Sequence, residues 1–233
     1  MNELIWFLLL LLNFVFIMAA FRLWGKTGLF IWIPISVIVA NIQVTKTVTL
    51  FGLEATLGNI VYATSFLATD ILSECYGKKE AAKAVAIGFF SLVAMTILMN
   101  IALVFVPSPA DVMHPALAAI FGLMPRIALA SLVAYLVSQT HDIHAFEFWK
   151  RKKPQHSWLW LRNNASTMVS QLIDTLLFTL IAFVGVYPAT VLYQIMITTY
   201  LLKWVVALLD TPFMYLAAKW HRNLRISDDD RGN

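Results

Sequence analysis

The sequence has little of three things that soluble enzymes use: charge, cysteine and the common nucleotide or hydrolase motifs. Charged residues make up 13% of the 233 residues, against roughly 25% in typical globular domains. The single cysteine, Cys75, allows no internal disulfide. The chain has no G-x-S-x-G, G-x-x-x-x-G-K-S/T or G-x-G-x-x-G pattern, which removes the main support for serine-hydrolase and ATPase activity. A soluble core is therefore the wrong expectation.

Long apolar runs take the place of charge. Hydrophobic residues make up 60% of the chain, and seven stretches approach or exceed the roughly 20 residues that a transmembrane helix needs. The predicted spans are 3–24, 28–50, 56–76, 80–106, 115–140, 163–186 and 188–219. Helix-breaking residues fall at or between these spans, as expected: Gly25, Gly52, Gly77, Pro107, Pro109, Pro154 and Pro188. The sequence predicts an all-α integral membrane protein with about seven transmembrane helices.

Basic residues fall on alternate connections between the spans. Of the 17 Lys and Arg residues, all but Lys46, Arg126 and Lys203 lie on the first, third and fifth connections or in the C-terminal tail. By the positive-inside rule, the N-terminus lies outside and the C-terminus in the cytoplasm. The net charge of +4 is thus a topology signal and does not indicate nucleic-acid binding.

The chain divides into three predicted parts. They are an N-terminal accessory transmembrane helix over 1–26, a six-helix core over 27–221 and a cytoplasmic polar tail over 222–233. The core forms two triplets of helices with opposite orientation, and each middle helix carries an acid in a similar context, Asp70 and Asp174. Inverted repeats are common in transporters, whose sites lie at the repeat interface. A match of so few residues also arises by chance, so both explanations stay open.

Five charged side chains fall inside or near the predicted spans. They are Asp70, Arg126, Asp174, Lys203 and Asp210. An ionised side chain at the centre of a bilayer costs about 2.5–3.5 kcal/mol on insertion scales, so each needs compensation inside the helix bundle. Such residues either line a solute path or form ion pairs that hold helices together.

A polar stripe runs along the sixth predicted span. Ser166, Ser170 and Asp174 recur every four residues, and Thr167 and Gln171 extend the same face. A stripe of this kind needs a polar neighbour inside the membrane. It is either a wall that faces a solute or a set of hydrogen bonds between helices.

The last span carries Lys203 and Asp210 two helical turns apart on one face. Lys203 needs an acidic partner, and Asp174 on the sixth span would satisfy both charges. Such a pair is either a rigid strut or a switch that responds to a solute or proton. Pro212 is expected to break this helix.

Amide side chains supply further candidate contacts, because their paired donors and acceptors suit the edge of a planar heterocycle. Asn41, Asn59 and Gln139 are the candidates, with hydrogen bonds between helices as the alternative. His141, Asp142, His144 and His156 have ligand types that hold zinc. They lack an H-E-x-x-H arrangement and adjoin a basic loop, so we expect a membrane-surface patch and no metal.

Several motifs together resemble one membrane family. In chain order they are the 66–70 segment (FLATD), Tyr76-Gly77, Arg126-Ile127-Ala128, the 139–146 segment, and Ala165-Ser166-Thr167 with Asp174-Thr175. With Lys203 and Pro212 in the last span, the chain resembles the queuosine precursor transporter family across residues 35–220. The first helix lies outside this resemblance.

The resemblance implies a bacterial inner-membrane importer of a deazaguanine precursor of the tRNA nucleoside queuosine, in its cyano or aminomethyl form. The family has also been described as vitamin uptake transporters. The implied partners are a small heterocyclic solute and the lipid bilayer, with no cofactor, no nucleic acid and no enzymatic activity. A homodimer and an energy-coupling partner both stay open.

A deazaguanine edge presents N–H donors that one carboxylate accepts in bidentate fashion, and we expect Asp174 to be that carboxylate. Asp70 and Lys203 rank next as substrate-binding residues. The supporting candidates are Arg126, Gln139, Asn41, Asn59, Ser166, Thr167 and Gln171.

Two alternatives to this function stay open. The six-helix plan is also similar to the substrate-binding subunits of energy-coupling-factor vitamin transporters, which would bind another small heterocycle beside an ATPase partner. The intramembrane acids and the histidines also allow an intramembrane enzyme or a structural membrane protein. Uptake of a labelled solute separates these classes.

Overall fold

The chain is mostly helical in the computed structural model. The structure describes residues 1–152 and 159–224, without the side chains of 139, 142–143, 146–147, 149–151, 159–167 and 223–224. The elements are α1 (Asn2–Gln43), β1 (Thr47–Leu50), β2 (Leu53–Thr56), α2 (Gly58–Tyr76), α3 (Lys78–Val104), α4 (His114–Phe121), α5 (Met124–Lys152), α6 (Leu159–Phe183) and α7 (Ala189–Leu224).

Four described stretches are long and apolar enough to cross a membrane. They are Asn2–Gln43, Lys78–Val104, His114–Ser138 and Ala189–Arg222, and a shorter apolar stretch runs over Met168–Phe183. The predicted class, an all-α membrane protein, is confirmed. The count of seven spans stays a prediction, because length and composition alone do not separate the crossings.

The longest helix, α1, folds back on itself at Gly25. Gly25 has φ 56° and ψ −132°, a conformation that glycine adopts far more readily than any other residue. The rings of Phe16 and Trp32 then meet across the two arms, with centroids 5.7 Å apart. At about 1.5 Å per residue, arms 2–24 and 26–43 are about 34 Å and 27 Å long, close to the roughly 30 Å of a bilayer core. The chain reverses direction between the first two predicted spans.

A β-hairpin corrects the end of the second predicted span, which was placed at residue 50. α1 ends at Gln43, and β1 and β2 pair as an antiparallel hairpin. The turn has φ 52° at Phe51 and 80° at Gly52, as a type I′ turn requires. The run Thr47-Val48-Thr49 is hydrophobic enough to extend a hydropathy window, but its β-branched side chains favour extended backbone.

The fifth predicted span, 115–140, matches the apolar stretch His114–Ser138, within which the structure separates α4 from α5. Pro125 has no N–H to donate to the carbonyl of Phe121, so the regular hydrogen-bond pattern is interrupted. The side chain of Asn100 donates to that carbonyl over 3.2 Å instead. The break is therefore compensated by α3.

The prediction that Pro212 breaks the last helix is wrong. α7 runs from Ala189 to Leu224 with Pro212 inside it. The missing N–H leaves a carbonyl one turn earlier without its usual donor, but the packing of α7 holds the helical path. Phe213 stacks on Phe14 of α1 with ring centroids 4.6 Å apart.

The largest apolar core joins both arms of α1 to α2 and α7. Phe14, Phe21, Leu67 and Ile71 are buried in it. Elsewhere α5 packs against α6, and α6 packs against α7. The first arm of α1 therefore contributes to the core, and the division of the chain at residue 26 stays a prediction.

Candidate functional site

A buried ion pair joins α6 to α7. Lys203 Nζ lies 2.6 Å from Asp174 Oδ2 and donates a second hydrogen bond over 3.2 Å to Thr175 Oγ1. Asp174 is 7% exposed and Lys203 8%. The predicted pairing of these two residues is present in the structure. A buried pair of this kind compensates two charges that would each be costly alone.

The pair lies deep in the helix bundle. At about 1.5 Å per residue, Asp174 is about 14 Å from the end of α6 and Lys203 about 21 Å from the start of α7. With a hydrocarbon core roughly 30 Å thick, both residues fall near mid-membrane depth. Solute sites of helical transporters are found at this depth.

A pocket surrounds the pair, and we call it the Asp174 pocket. It is a small space of about 30 Å³ between side chains from α1, α2, α5, α6 and α7. Its polar lining consists of Asn41, Asn59, Tyr62, Ser131, Asp174, Thr175, Thr199 and Lys203. Its apolar lining consists of Ala40, Val44, Gly58 and Phe178. The pocket therefore combines one ion pair with amide and hydroxyl groups, as sites for small polar solutes do.

Asn59 closes one end of the pocket through hydrogen bonds to two threonines. Its Nδ2 lies 2.7 Å from Thr199 Oγ1 on α7 and 2.8 Å from Thr56 Oγ1 at the end of β2. The hairpin is tied to α7 again by Thr198, whose hydroxyl donates to the carbonyl of Glu54 over 2.9 Å. Side chains at the start of α2 thus connect the pocket to the hairpin.

Gly58 allows α2 to begin directly against α1. A Cβ at this position would lie 2.1 Å from the carbonyl oxygen of Ala40 and 2.8 Å from the nitrogen of Val44. Only a residue without a side chain permits this approach. The contact brings Asn41 to the pocket, where its Oδ1 accepts a hydrogen bond from Ser131 over 2.9 Å.

One carboxylate oxygen in the pocket is uncommitted. Asp174 Oδ2 accepts from Lys203, whereas Asp174 Oδ1 accepts no hydrogen bond in the part of the chain that the structure describes. The ring of Tyr62 lies 6.0 Å from Lys203 Nζ and forms an aromatic wall beside it. The site can therefore accept an N–H donor at Asp174 while a flat ring contacts Tyr62.

Arg126, predicted as a supporting contact, lies outside the pocket. Its Nε donates to the carbonyl of Ile181 over 2.5 Å and its NH2 group to that of Val184 over 2.6 Å. These carbonyls belong to the last turn of α6 and to the residue after it. Carbonyls at the end of a helix have no N–H donor within the helix. The guanidinium therefore caps α6.

Asp70 also lies outside the pocket, in a second cavity that shares part of its wall. This cavity has a volume of about 320 Å³. The prediction grouped Asp70 with Asp174, but the structure separates them into two compartments. Glu74, one turn further along α2, lines neither.

The remaining predicted residues fall into two groups, those whose side chains the structure describes and those whose side chains it does not. The side chains of Gln139, Ser166 and Thr167 lie outside the described residues, so their roles stay predictions. Gln171 is described and does not line the pocket; its Oε1 is buried. His141 contacts Ser170 through Nδ1 at 3.1 Å, and the described residues contain no group of three metal-ligand side chains.

Eight pocket residues were not among the predicted site residues: Ala40, Val44, Gly58, Tyr62, Ser131, Thr175, Phe178 and Thr199. For two of them, the spacing from a predicted residue could have identified them. Thr199 stands one turn before Lys203 and Tyr62 one turn after Asn59, so each shares a helix face with a residue that was identified. Phe178 had no such signal, because aromatic residues are common throughout these helices.

Comparisons with known proteins match this chain to membrane transporters over most of its length. Residues 56–217 match a family model described as a putative vitamin uptake transporter. A Bacillus subtilis protein named probable queuosine precursor transporter is 45% identical over 232 residues, covering 100% of this chain and 99% of the relative. The Escherichia coli queuosine precursor transporter is 31% identical over 149 residues, or 62% of each chain.

A third relative, a probable queuosine precursor transporter from Haemophilus influenzae, is 29% identical over 133 residues. That alignment covers 57% of this chain and 54% of the relative. No solved structure matches significantly. The evidence for kinship therefore comes from sequence.

Proposed function

The chain belongs to the queuosine precursor transporter family, and from this premise we propose that it imports a deazaguanine precursor of queuosine across the bacterial inner membrane. Relatives with this name exist in three bacteria, one of them similar over its whole length. These kinships identify a membrane transporter, not an enzyme. The cyano or aminomethyl form of deazaguanine as the solute belongs to the proposal.

The observation that carries the proposal is the Asp174–Lys203 pair with a free carboxylate oxygen at mid-membrane depth. Asp174 Oδ1 accepts an N–H of the guanine-like edge, while Asp174 Oδ2 stays 2.6 Å from Lys203 Nζ. A charged acceptor strengthens each hydrogen bond about twofold over a neutral one. Solute binding at Asp174 is thus favoured in a site from which water is largely excluded.

Neighbouring groups complete the proposed contacts. Asn41 and Asn59 offer amide groups to the rest of the heterocycle's edge, and Thr199 offers a hydroxyl. Tyr62 and Phe178 offer ring faces to the flat solute. A site that hydrogen-bonds several edge atoms rejects analogues that lack them, because buried polar groups are then left unpaired.

The proposed orientation of the chain in the membrane, and with it the path of the solute, follows from the alternation of basic residues along the sequence. With the N-terminus outside, the β-hairpin lies on the outer side and Tyr76 on the cytoplasmic side. Asn59 and its threonine partners then close the outer end of the Asp174 pocket, and the Asp70 cavity lies between that pocket and the cytoplasm. A cysteine-labelling assay on intact cells, with single cysteines at residues 52 and 219, tests this orientation.

Transport is tested by complementation. Cells that cannot make the precursor, and that lack their own importer, are given this gene and external cyano-deazaguanine. We expect queuosine to return to their tRNA, measured by mass spectrometry of digested nucleosides. A protein present in the membrane at normal amounts that restores no queuosine would refute the proposed solute.

The site is tested by Asp174→Asn in the same cells. Loss of the charged acceptor is expected to lower uptake by about tenfold or more, since hydrogen bonds to charged groups contribute about 1.5–3 kcal/mol. Asp111→Asn is the matched control, because this residue lies in the exposed loop before α4. Full uptake by Asp174→Asn would remove Asp174 from the site.

Energy coupling is a separate part of the proposal. We expect the chain to bind solute by itself, and the similarity in plan to energy-coupling-factor subunits keeps an ATPase partner as the alternative. Uptake into vesicles that contain only the purified protein, with and without a protonophore, separates the cases. Uptake that appears only when a partner complex is added would favour the energy-coupled alternative.

A further inference from the structure

The cavity around Asp70 has the features of a binding site, and we call it the Asp70 cavity. Its polar lining includes one face of α2, formed by Ser65, Thr69, Asp70 and Ser73, and Lys78 of α3. Opposite this face of α2 lie α3, α5 and the second arm of α1. The cavity has a volume of about 320 Å³, larger than the Asp174 pocket.

Asp70 is the strongest acceptor in this cavity. It makes no ion pair and no hydrogen bond in the part of the chain that the structure describes. The hydroxyl of Thr69 donates to the carbonyl of Phe66 over 2.8 Å, and that of Ser65 to Tyr62 over 2.6 Å. These two hydroxyls are therefore directed at their own helix, whereas the Asp70 carboxylate is available to a solute.

Two pairs of aromatic rings also line the cavity. On α2, the Tyr62 and Phe66 rings have centroids 5.5 Å apart. On the other side, Phe89 of α3 and Tyr135 of α5 have centroids 4.9 Å apart. Aromatic faces beside a carboxylate suit a planar heterocycle that carries N–H donors on its edge.

The cavity and the Asp174 pocket share three lining residues, which we call the neck. Asn41, Tyr62 and Ser131 line both spaces. The hydrogen bond from Ser131 to Asn41, 2.9 Å long, joins α5 to α1 across this neck. A solute that leaves the Asp174 pocket by this route passes between the amide of Asn41 and the ring of Tyr62.

We infer that the Asp70 cavity is a second binding site for the same planar heterocycle, occupied after the Asp174 pocket on the way through the protein. This inference rests on the proposed function for its solute. Asp70 accepts N–H groups of the ring edge, and the rings of Phe66 and Phe89 contact its faces. The site is weaker than the Asp174 pocket because the cavity is wider and its carboxylate is less enclosed.

Binding of radiolabelled cyano-deazaguanine to purified protein in lipid nanodiscs tests the inference. Wild-type protein is expected to bind in two phases, one tight and one weaker by about tenfold or more, a difference of roughly 1.4 kcal/mol. Asp174→Asn combined with Lys203→Met removes the tight phase without leaving one buried charge unpaired. Asp70→Asn removes the weak phase and slows uptake, while the tight phase is retained.

Glu74→Gln is the matched control, because it removes the same charge one turn along α2 from a residue that does not line the cavity. Both variants are first compared with wild type by size-exclusion chromatography. A single binding phase in wild type, with Asp70→Asn and Glu74→Gln equal in binding and uptake, overturns the second site and leaves the proposed function intact. A wild-type protein that binds no probe overturns both.

Discussion

Two intramembrane carboxylates of this protein have opposite surroundings. Asp174 is 7% exposed and lies 2.6 Å from a buried lysine. Asp70 faces a wide cavity and has no ion-pair partner among the described residues. The comparison teaches that an acid inside a membrane protein is tolerated in two ways, by a fixed counter-charge or by a polar space. Only the first way also holds helices together.

The largest effect is expected when the fixed counter-charge is removed. Lys203→Met leaves Asp174 buried without a partner. Loss of one member of a buried ion pair lowers the free energy of unfolding by about 3–5 kcal/mol. We expect a much lower Tm in detergent and little folded protein in the membrane. Asp70→Asn removes a charge that has no partner, so its Tm is expected to equal that of wild type.

A double variant separates folding from transport at the pair. Asp174→Asn with Lys203→Met removes both charges, and neutral replacement of a buried pair is often harmless to stability. The Tm is expected to recover, while uptake stays at background. Recovered uptake in this variant would mean that the pair is a structural strut only.

A smaller effect is expected from adding a methyl group between helices. Gly58→Ala places a Cβ against the backbone of Ala40, which cannot move aside, and overpacking of this kind costs about 1–3 kcal/mol. Gly88→Ala is the control, because its Cβ would lie 3.2 Å and 3.3 Å from side-chain methyl groups of Val37 and Ile33. Circular dichroism melts are expected to show a drop for Gly58→Ala and little change for Gly88→Ala. Equal melting of the two variants would contradict a tight junction at Gly58.

The smallest effect is expected at Arg126. Arg126→Met removes two hydrogen bonds that cap α6 at its end, where water and lipid headgroups replace them in part. The free energy of unfolding is expected to fall by about 1 kcal/mol. Uptake divided by the amount of folded protein is expected to stay unchanged. A large loss of uptake at equal stability would restore Arg126 as a solute contact.

The sequence predicts the membrane class and the ion pair because both follow from the cost of charge in lipid. Lys203 needs a partner wherever α7 packs, and Asp174 stands on a polar face of the preceding helix. The separation of Asp70 from Asp174 was not predictable in this way. It depends on which helices meet at Asn41, Tyr62 and Ser131, and hydropathy contains no information on helix neighbours.

The other differences between the predicted spans and the observed helices arise where local backbone preferences or packing override hydropathy. Residues 44–50 were placed in the second predicted span but form a turn and the first strand of a hairpin, because β-branched residues and the Phe51-Gly52 pair favour that geometry. Pro125 interrupts a helix where Pro212 does not. The same residue type has two outcomes, because each depends on packing with neighbouring helices such as the contact from Asn100.

The fold-back at Gly25 bears on how the protein enters the membrane. Without it, the 42 residues of α1 would make a straight rod of about 63 Å, twice the thickness of the hydrocarbon layer. With it, α1 consists of two apolar arms that pack against each other, each close to the length of one membrane crossing. Biogenesis of the chain can therefore start from one helical hairpin, which later helices join as they emerge.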